Sequence, residues 1–153
     1  MENDFDRMKN VLRELPFFQD FEDEELDFFS KSVSLRYFPA QTVLFRKDEI
    51  GDFLFFIVEG AVDVRLESTS SEQMVIATFD RGCSVGEMSI VDDYPRSATI
   101  VVTKPSELLI LTRKRFESMC KKAPSVGIKF LLGLSKNLSM RMRNTNDRFA
   151  DLA

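Results

Sequence analysis

The residues best equipped for chemistry lie together between Val85 and Thr99, in the run V-G-E-M-S-I-V-D-D-Y-P-R-S-A-T. Arg96 presents a planar fork of N–H donors that matches phosphate oxygens two at a time. Gly86 lets backbone N–H groups come close to an anion. Glu87, when ionised, only accepts hydrogen bonds and suits a sugar hydroxyl. Ser97 adds a hydroxyl beside the arginine, and Ala98 follows it. Such a set suits the capture of a small anionic sugar phosphate. Simpler roles stand beside this one. Arg96 could be a strand-end arginine paired to Asp92 or Asp93, and Glu87 a carboxylate favoured by a helix N-terminus. Gly86 could be a tight turn and Ser89 a small helical residue. With Gly86–Glu87 and Ser97–Ala98 in register around it, Arg96 is better explained by phosphate.

Other chemistries are poorly supplied. There is no histidine among the 153 residues, which removes the commonest general base and metal ligand. Cys83 and Cys120 form neither a CxxC pair nor a metal-ligand spacing and read as reduced thiols; Cys83, close to the run above, reads as a small buried filler. There is no P-loop and no convincing acid/base carboxylate pair. The expectation is therefore a binding protein, not an enzyme, with no metal and no catalytic cofactor. The start M-E-N-D-F-D-R-M-K is too polar for a signal peptide, and no apolar run approaches a membrane span, so a cytoplasmic location without membrane contact is expected.

The elements that must position these residues follow from periodicity. Phe5, Met8, Val11, Leu12 and Leu15 fall at helical spacing over residues 4–15, ended by Pro16. A second short helix, E-D-E-E-L-D-F-F-S-K, is expected to turn Leu26, Phe28 and Phe29 inward. From Ser34 the period becomes two. S-L-R-Y-F, Q-T-V-L-F-R, F-L-F-F-I-V, A-V-D-V-R-L, M-V-I-A-T-F, T-I-V-V-T and E-L-L-I-L-T read as strands. Glu59–Gly60 reads as a hairpin turn, Lys104–Pro105–Ser106 as a break and S-T-S-S-E-Q as a polar loop. The fold expected is α+β and mainly β, a jelly-roll barrel of about eight antiparallel strands with N-terminal helices and a long C-terminal helix. A short helix inside the run from Val85 to Thr99 interrupts the β series, and this insertion carries the Gly-Glu pair.

After Thr112 come a helix closed by Pro124 and one long helix from about Ser125. On the latter, Ile128, Ser135, Met142 and Phe149, with Leu131, Leu138, Thr145 and Leu152, form a heptad strip. Its early part is expected to pack on the barrel and its part beyond Leu138 to form a parallel dimer seam. Charge is uneven: residues 1–60 hold 7 Lys/Arg and 14 Asp/Glu, residues 113–153 hold 10 and 3, and the whole chain carries −4. A basic C-terminal segment suits an acidic partner or nucleic acid, or more simply a solvated helix face partly paired to the acidic half.

G-E-M-S followed by P-R-S-A-T resembles the phosphate-binding cassette of cyclic-nucleotide-binding domains. The likeness extends along nearly the whole chain and is greatest to the sensor domain of the bacterial cyclic AMP receptor/catabolite activator group. L-F-F-I-V-E-G-A-V-D-V and F-D-R-G-C-S-V-G-E are similar to its second conserved stretch and its approach to the cassette, and R-M-R-N-T-N-D-R-F-A-D-L to the helix that closes over the purine. The resemblance implies a single domain over 1–153, with helices at 1–33, a β-roll at 34–112 holding a cassette at 85–99, and helices at 113–153. It implies phosphate contacts from Arg96, Ser97 and Ala98, ribose contacts from Glu87 and Gly86, and further contacts from Val85, Met88 and Ser89. Thr145 and Asn146 would meet the base, one in each subunit; equally they read as exposed helix polar residues. Ile76 and Val64 read as core, or as walls for the base. Val85 stands where many members have Phe. Ser97 stands where eukaryotic relatives carry Thr for cyclic GMP or Ala for cyclic AMP, and where the bacterial group has Ser; the leaning is to cyclic AMP, with cyclic GMP as the other candidate. The function implied is a signal-transducing sensor module, homodimeric through its last helix and acting on a downstream protein. The alternative is an interaction domain of the same fold that works without ligand. The run ends at Asp151–Leu152–Ala153, where transcription factors of the group continue into a helix-turn-helix, so this chain alone is not expected to read DNA.

Overall fold

A computed structural model describes residues 3–68, 70 and 72–152. Helix α1 (Asp4–Glu14) starts where the Asn3 side chain accepts the Asp6 N–H at 2.8 Å, satisfying one of the free amides of the first turn. Helix α2 (Asp23–Ser32) opens with a capping box between Glu22 and Glu25. Strands β1 (Val33–Phe38), β2 (Val43–Phe45), β3 (Phe53–Glu67), β4 (Gln73–Asp80) and β5 (Ser84–Val85) follow, then the short helix α3 (Met88–Val91) and strand β6 (Thr99–Thr112). Helices α4 (Arg113–Lys122) and α5 (Pro124–Leu152) complete the chain. Thr69 and Ser71 of the expected polar loop lie outside the described residues. No helix among the described residues is long and apolar enough to cross a membrane.

The strands form one antiparallel sheet in the order β1-β6-β3-β4, with β2 also on β6 and β5 also on β3. Six strands stand where about eight short ones are expected, because two pairs are fused. Glu59–Gly60 is no hairpin turn: β3 runs through it, and β6 runs through Pro105, the two paired from Phe53↔Thr112 to Arg65↔Thr99. The ladder shifts register on both sides of Glu59, so both strands bend together. Gly60 sits at φ +108, and a Cβ there would lie 2.0 Å from Ser106 Oγ and 2.7 Å from Ser106 Cα. Only glycine fits both constraints. Ser106 Oγ in turn accepts the Ala61 N–H at 3.2 Å and donates to the Lys104 carbonyl at 2.7 Å, replacing ladder bonds lost at the bend. Pro105 has no partner residue on either neighbouring strand, which is where a residue lacking an N–H is tolerated.

The continuous apolar run F-L-F-F-I-V has both faces covered. Leu54 and Phe56 join one core cluster under the helices, with Leu12, Phe18, Phe29 and Phe130. Phe55 and Ile57 point into the roll with Val62, Val85, Ile100 and Val102. Burial on both faces of a central strand explains why the alternation vanishes there. The helical cluster is rich in rings: Phe130 of α5 lies 4.9 Å from Phe29, 5.2 Å from Phe17 and 5.5 Å from Phe116, centroid to centroid.

Two helix faces differ from expectation. Phe28 is 39 % exposed, because α2 buries Leu26, Phe29 and Ser30 instead. On α5 the face that packs is Val126, Phe130 and Leu134, spaced four apart. The heptad strip lies off that face from its beginning, not only beyond Leu138: Ile128, Leu131, Ser135, Met142 and Phe149 are exposed and Leu138 is half-buried. The Leu152 side chain lies outside the described residues.

Candidate functional site

A cavity of about 720 Å³ opens between the roll, the segment from Val85 to Ala98 and α5. That size is typical of a small-molecule site. Phe45, Val64, Val85 and Ile100 supply its apolar wall, and Leu138, Arg141, Met142, Thr145 and Asn146 of α5 face it from the other side. Gly86, Glu87, Met88, Ser89, Arg96, Ser97 and Ala98 all line it. Every proposed site residue except one is thus brought together. The exception is Ile76, which is not among the lining residues and is 44 % exposed on edge strand β4. The β3–β4 ladder pairs Val64 with Ala77 and then Arg65 with Val75, skipping Ile76. This bulge reverses the inward phase of the strand, so Ala77 and Phe79 are the half-buried residues.

Arg96 is 5 % exposed, yet it forms no ion pair among the described residues. Asp93 pairs with Arg113, and the Asp92 carboxylate accepts the Tyr94 N–H, so neither acts as its counter-ion. The guanidinium lies over the Phe45 ring at 3.7 Å and near the Phe53 ring at 4.8 Å. Contacts of this kind contribute on the order of 0.5–2 kcal/mol each. Its Nη2 donates to the Phe53 carbonyl at 2.8 Å and its Nη1 weakly to that of Gly86 at 3.5 Å, while its buried Nε has no partner. Burial lowers its pKa from the ordinary value, against the pull of Asp52 and Glu49. Gly86 has φ +87, and a Cβ there would stand 2.9 Å from Arg96 Nη1. Its glycine therefore serves both the backbone turn and the space of the arginine.

Glu87 is buried at 4 % exposure and caps nothing through its side chain. Its Oε1 accepts from Ser84 Oγ at 2.7 Å and from Arg141 Nη1 at 2.6 Å. Arg141 also donates to the Ser84 carbonyl and lies 4.6 Å from the Phe79 ring. One arginine of α5 thereby ties the helix to the roll at the carboxylate assigned to a sugar. Thr145, one turn on, donates its hydroxyl back to the Arg141 carbonyl at 2.9 Å and is exposed, as is Asn146. Met88 and Ser97 stand exposed at the rim, and Ser89 and Ala98 are buried.

Arg141 and Phe45 are the residues that the sequence alone does not single out. The signal for Arg141 was its place four residues before Thr145, which puts both on one helix face. Phe45 carries no such signal.

The family model described as "Cyclic nucleotide-binding domain" matches residues 35–123, more than half of the chain. The cAMP-activated global transcriptional regulator CRP of Pasteurella multocida is 24 % identical over 132 residues, 86 % of this chain and 61 % of the regulator. A cyclic nucleotide-gated potassium channel of Rhizobium etli is 32 % identical over 123 residues, 80 % of this chain and 33 % of the channel. The chain thus spans less than two thirds of the curated relatives it matches. Among solved structures, a cyclic nucleotide-binding domain from Methylobacillus flagellatus superimposes with a TM-score of 0.84 at 28 % identity, covering 97 % of this chain and 84 % of that one. With its bent antiparallel roll, its long last helix and a match that runs through the cavity-lining segment, this chain belongs to the cyclic nucleotide-binding domain family.

Proposed function

We propose that the chain is a sensor module that binds cyclic AMP, in preference to cyclic GMP, in this cavity and passes occupancy to α5. The observation that carries this reading is Arg96. A buried cation without a counter-ion is costly, and this one keeps an unpartnered Nε beside a cavity large enough for a nucleotide. In the bound form Arg96, Ser97 and Ala98 hold the cyclic phosphate, and Glu87 and Gly86 take the ribose. Val64, Val85, Met88 and Ser89 surround the sugar and base, and Thr145 and Asn146 face the purine. Ser97 and the likeness to a cAMP-activated regulator of Pasteurella multocida support the choice of nucleotide.

A ribose hydroxyl reaching Glu87 must share it with Arg141 or displace it. Binding at the roll is thereby linked to the position of α5, to the extent that the ligand's affinity differs between the two helix positions. The exposed strip on α5 supports a second copy of the chain as the receiver of that change. Nothing in the proposal needs bond breaking: the buried carboxylate at the cavity is engaged by a cation and a hydroxyl, not poised as a base.

Calorimetric titration of verified nucleotide-free protein with cyclic AMP and then cyclic GMP tests the proposal, with sedimentation of the same samples. The expected result is about micromolar or tighter binding of cyclic AMP, weaker cyclic GMP and a dimer mass. Absence of heat with both nucleotides would refute the sensor and leave the ligand-independent interaction domain. A monomer that binds would remove α5 pairing alone.

A further inference from the structure

Away from the nucleotide cavity, α2 and α4 leave a groove of about 280 Å³ between them. Phe28 and Lys31 of α2, three apart, line one side; Arg115, Ser118, Met119 and Lys122 of α4, at helical spacing, line the other. Met119 is buried at the floor, and Phe28 keeps 39 % of its surface in water. Lys31, Arg115 and Lys122 form no ion pair among the described residues, as is also true of Lys114 and Lys121 on α4, whereas Lys9, Arg13, Arg113 and Lys129 do pair. Three cations around an apolar floor have no evident structural role: the nearby carboxylates Asp27 and Glu117 are already paired to Lys9 and Arg113.

We infer that this groove docks an acidic peptide segment of a partner protein, an apolar side chain resting on Phe28 and Met119 and carboxylates meeting the three cations. Charge complementarity and the mixed lining decide the kind of partner. A nucleic-acid backbone would need a longer basic track, and α2 and α4 are only 10 residues each, about 15 Å. A short acidic segment with one apolar anchor fits that length.

The test is fluorescence anisotropy of the full chain with a labelled five-residue probe, Glu and Asp around one Phe. Controls are the same probe with Lys in place of the acids, the probe with Ala in place of Phe, and a single-stranded five-nucleotide oligomer. Saturable binding of the acidic probe is expected, weakened at least about tenfold in a Lys31→Gln, Arg115→Gln, Lys122→Gln triple variant of unchanged melting temperature. Phe28→Ala, or loss of the probe's apolar residue, should weaken it several-fold. Absence of binding, equal binding by the triple variant, or an oligonucleotide bound as tightly as the peptide would each overturn the inference. An Arg96→Ala variant that still binds the probe separates this site from the nucleotide cavity.

Discussion

On the roll side of the cavity, Val85, Glu87, Ser89, Arg96 and Ala98 are each under a tenth exposed and are held by the sheet and by local backbone bonds. On the α5 side, Met142, Thr145 and Asn146 are exposed, Leu138 is half-buried, and Arg141 supplies the polar tie to Glu87 and Ser84. Both walls contribute an arginine, and the two behave oppositely. Arg96 has a position fixed by rings and carbonyls and no counter-ion. Arg141 has a counter-ion and a position that depends on it. On the proposed reading, one wall is therefore set for an anion before any arrives, and the other is held by a bond to the group that the ligand would use. Preorganisation lowers the cost of binding on the first wall; the second wall is where binding can change shape.

The largest expected effect comes from cutting the anchor of α5. Phe130→Ala should cost about 3–5 kcal/mol in denaturant unfolding, because this fully buried ring meets Phe17, Phe29 and Phe116 at once. The loss should lower the midpoint of the whole chain. A separate early transition confined to α5 would mean that the walls are more independent than their shared cluster implies. Next is Arg96→Ala, expected to weaken cyclic nucleotide binding about ten- to a hundredfold by removing a charge-assisted contact, with the melting temperature little changed because relief of a buried cation without a counter-ion offsets the lost ring contacts and the bond to the Phe53 carbonyl. Unchanged affinity in calorimetry at equal stability would take the phosphate away from this wall. The smallest effect is Arg141→Gln. Its side chain is 32 % exposed, so solvent screens the pair, and amide hydrogen exchange over 139–152 should quicken about three- to tenfold with the roll unchanged. Exchange at the wild-type rate would show that α5 does not rely on this tie.

The roll-side wall was legible in the sequence because it is local. Gly86, Glu87, Arg96, Ser97 and Ala98 fall within one short run, of types that suit an anion, and all line the cavity. What was not legible is what depends on distant contacts. The Glu87–Arg141 pair joins residues 54 apart. The ring under Arg96 comes from a short strand whose only signal was being apolar. Ile76 was misplaced because alternation assumes an unbroken ladder, and a single bulge reversed its phase. Phe28 was placed inside because two adjacent phenylalanines on a helix look alike, whereas only Phe29 falls on the face with Leu26. The fused strands were hidden for a related reason: Gly60 and Pro105 look like punctuation, but here they accommodate a bend that two strands make together.

The attachment of α5 also gives the molecule a mechanical gear. The helix is clamped up to Leu134 by its buried face, and at 1.5 Å per residue Arg141 lies about 10 Å past that pivot and Leu152 about 27 Å past it. A tilt that moves Arg141 by about 1 Å sweeps the end of the helix by about 2.5 Å. A displacement no larger than the difference between a hydrogen bond and a van der Waals contact at Glu87 would therefore arrive at the far end of the rod as a stroke large enough to change which side chains meet there.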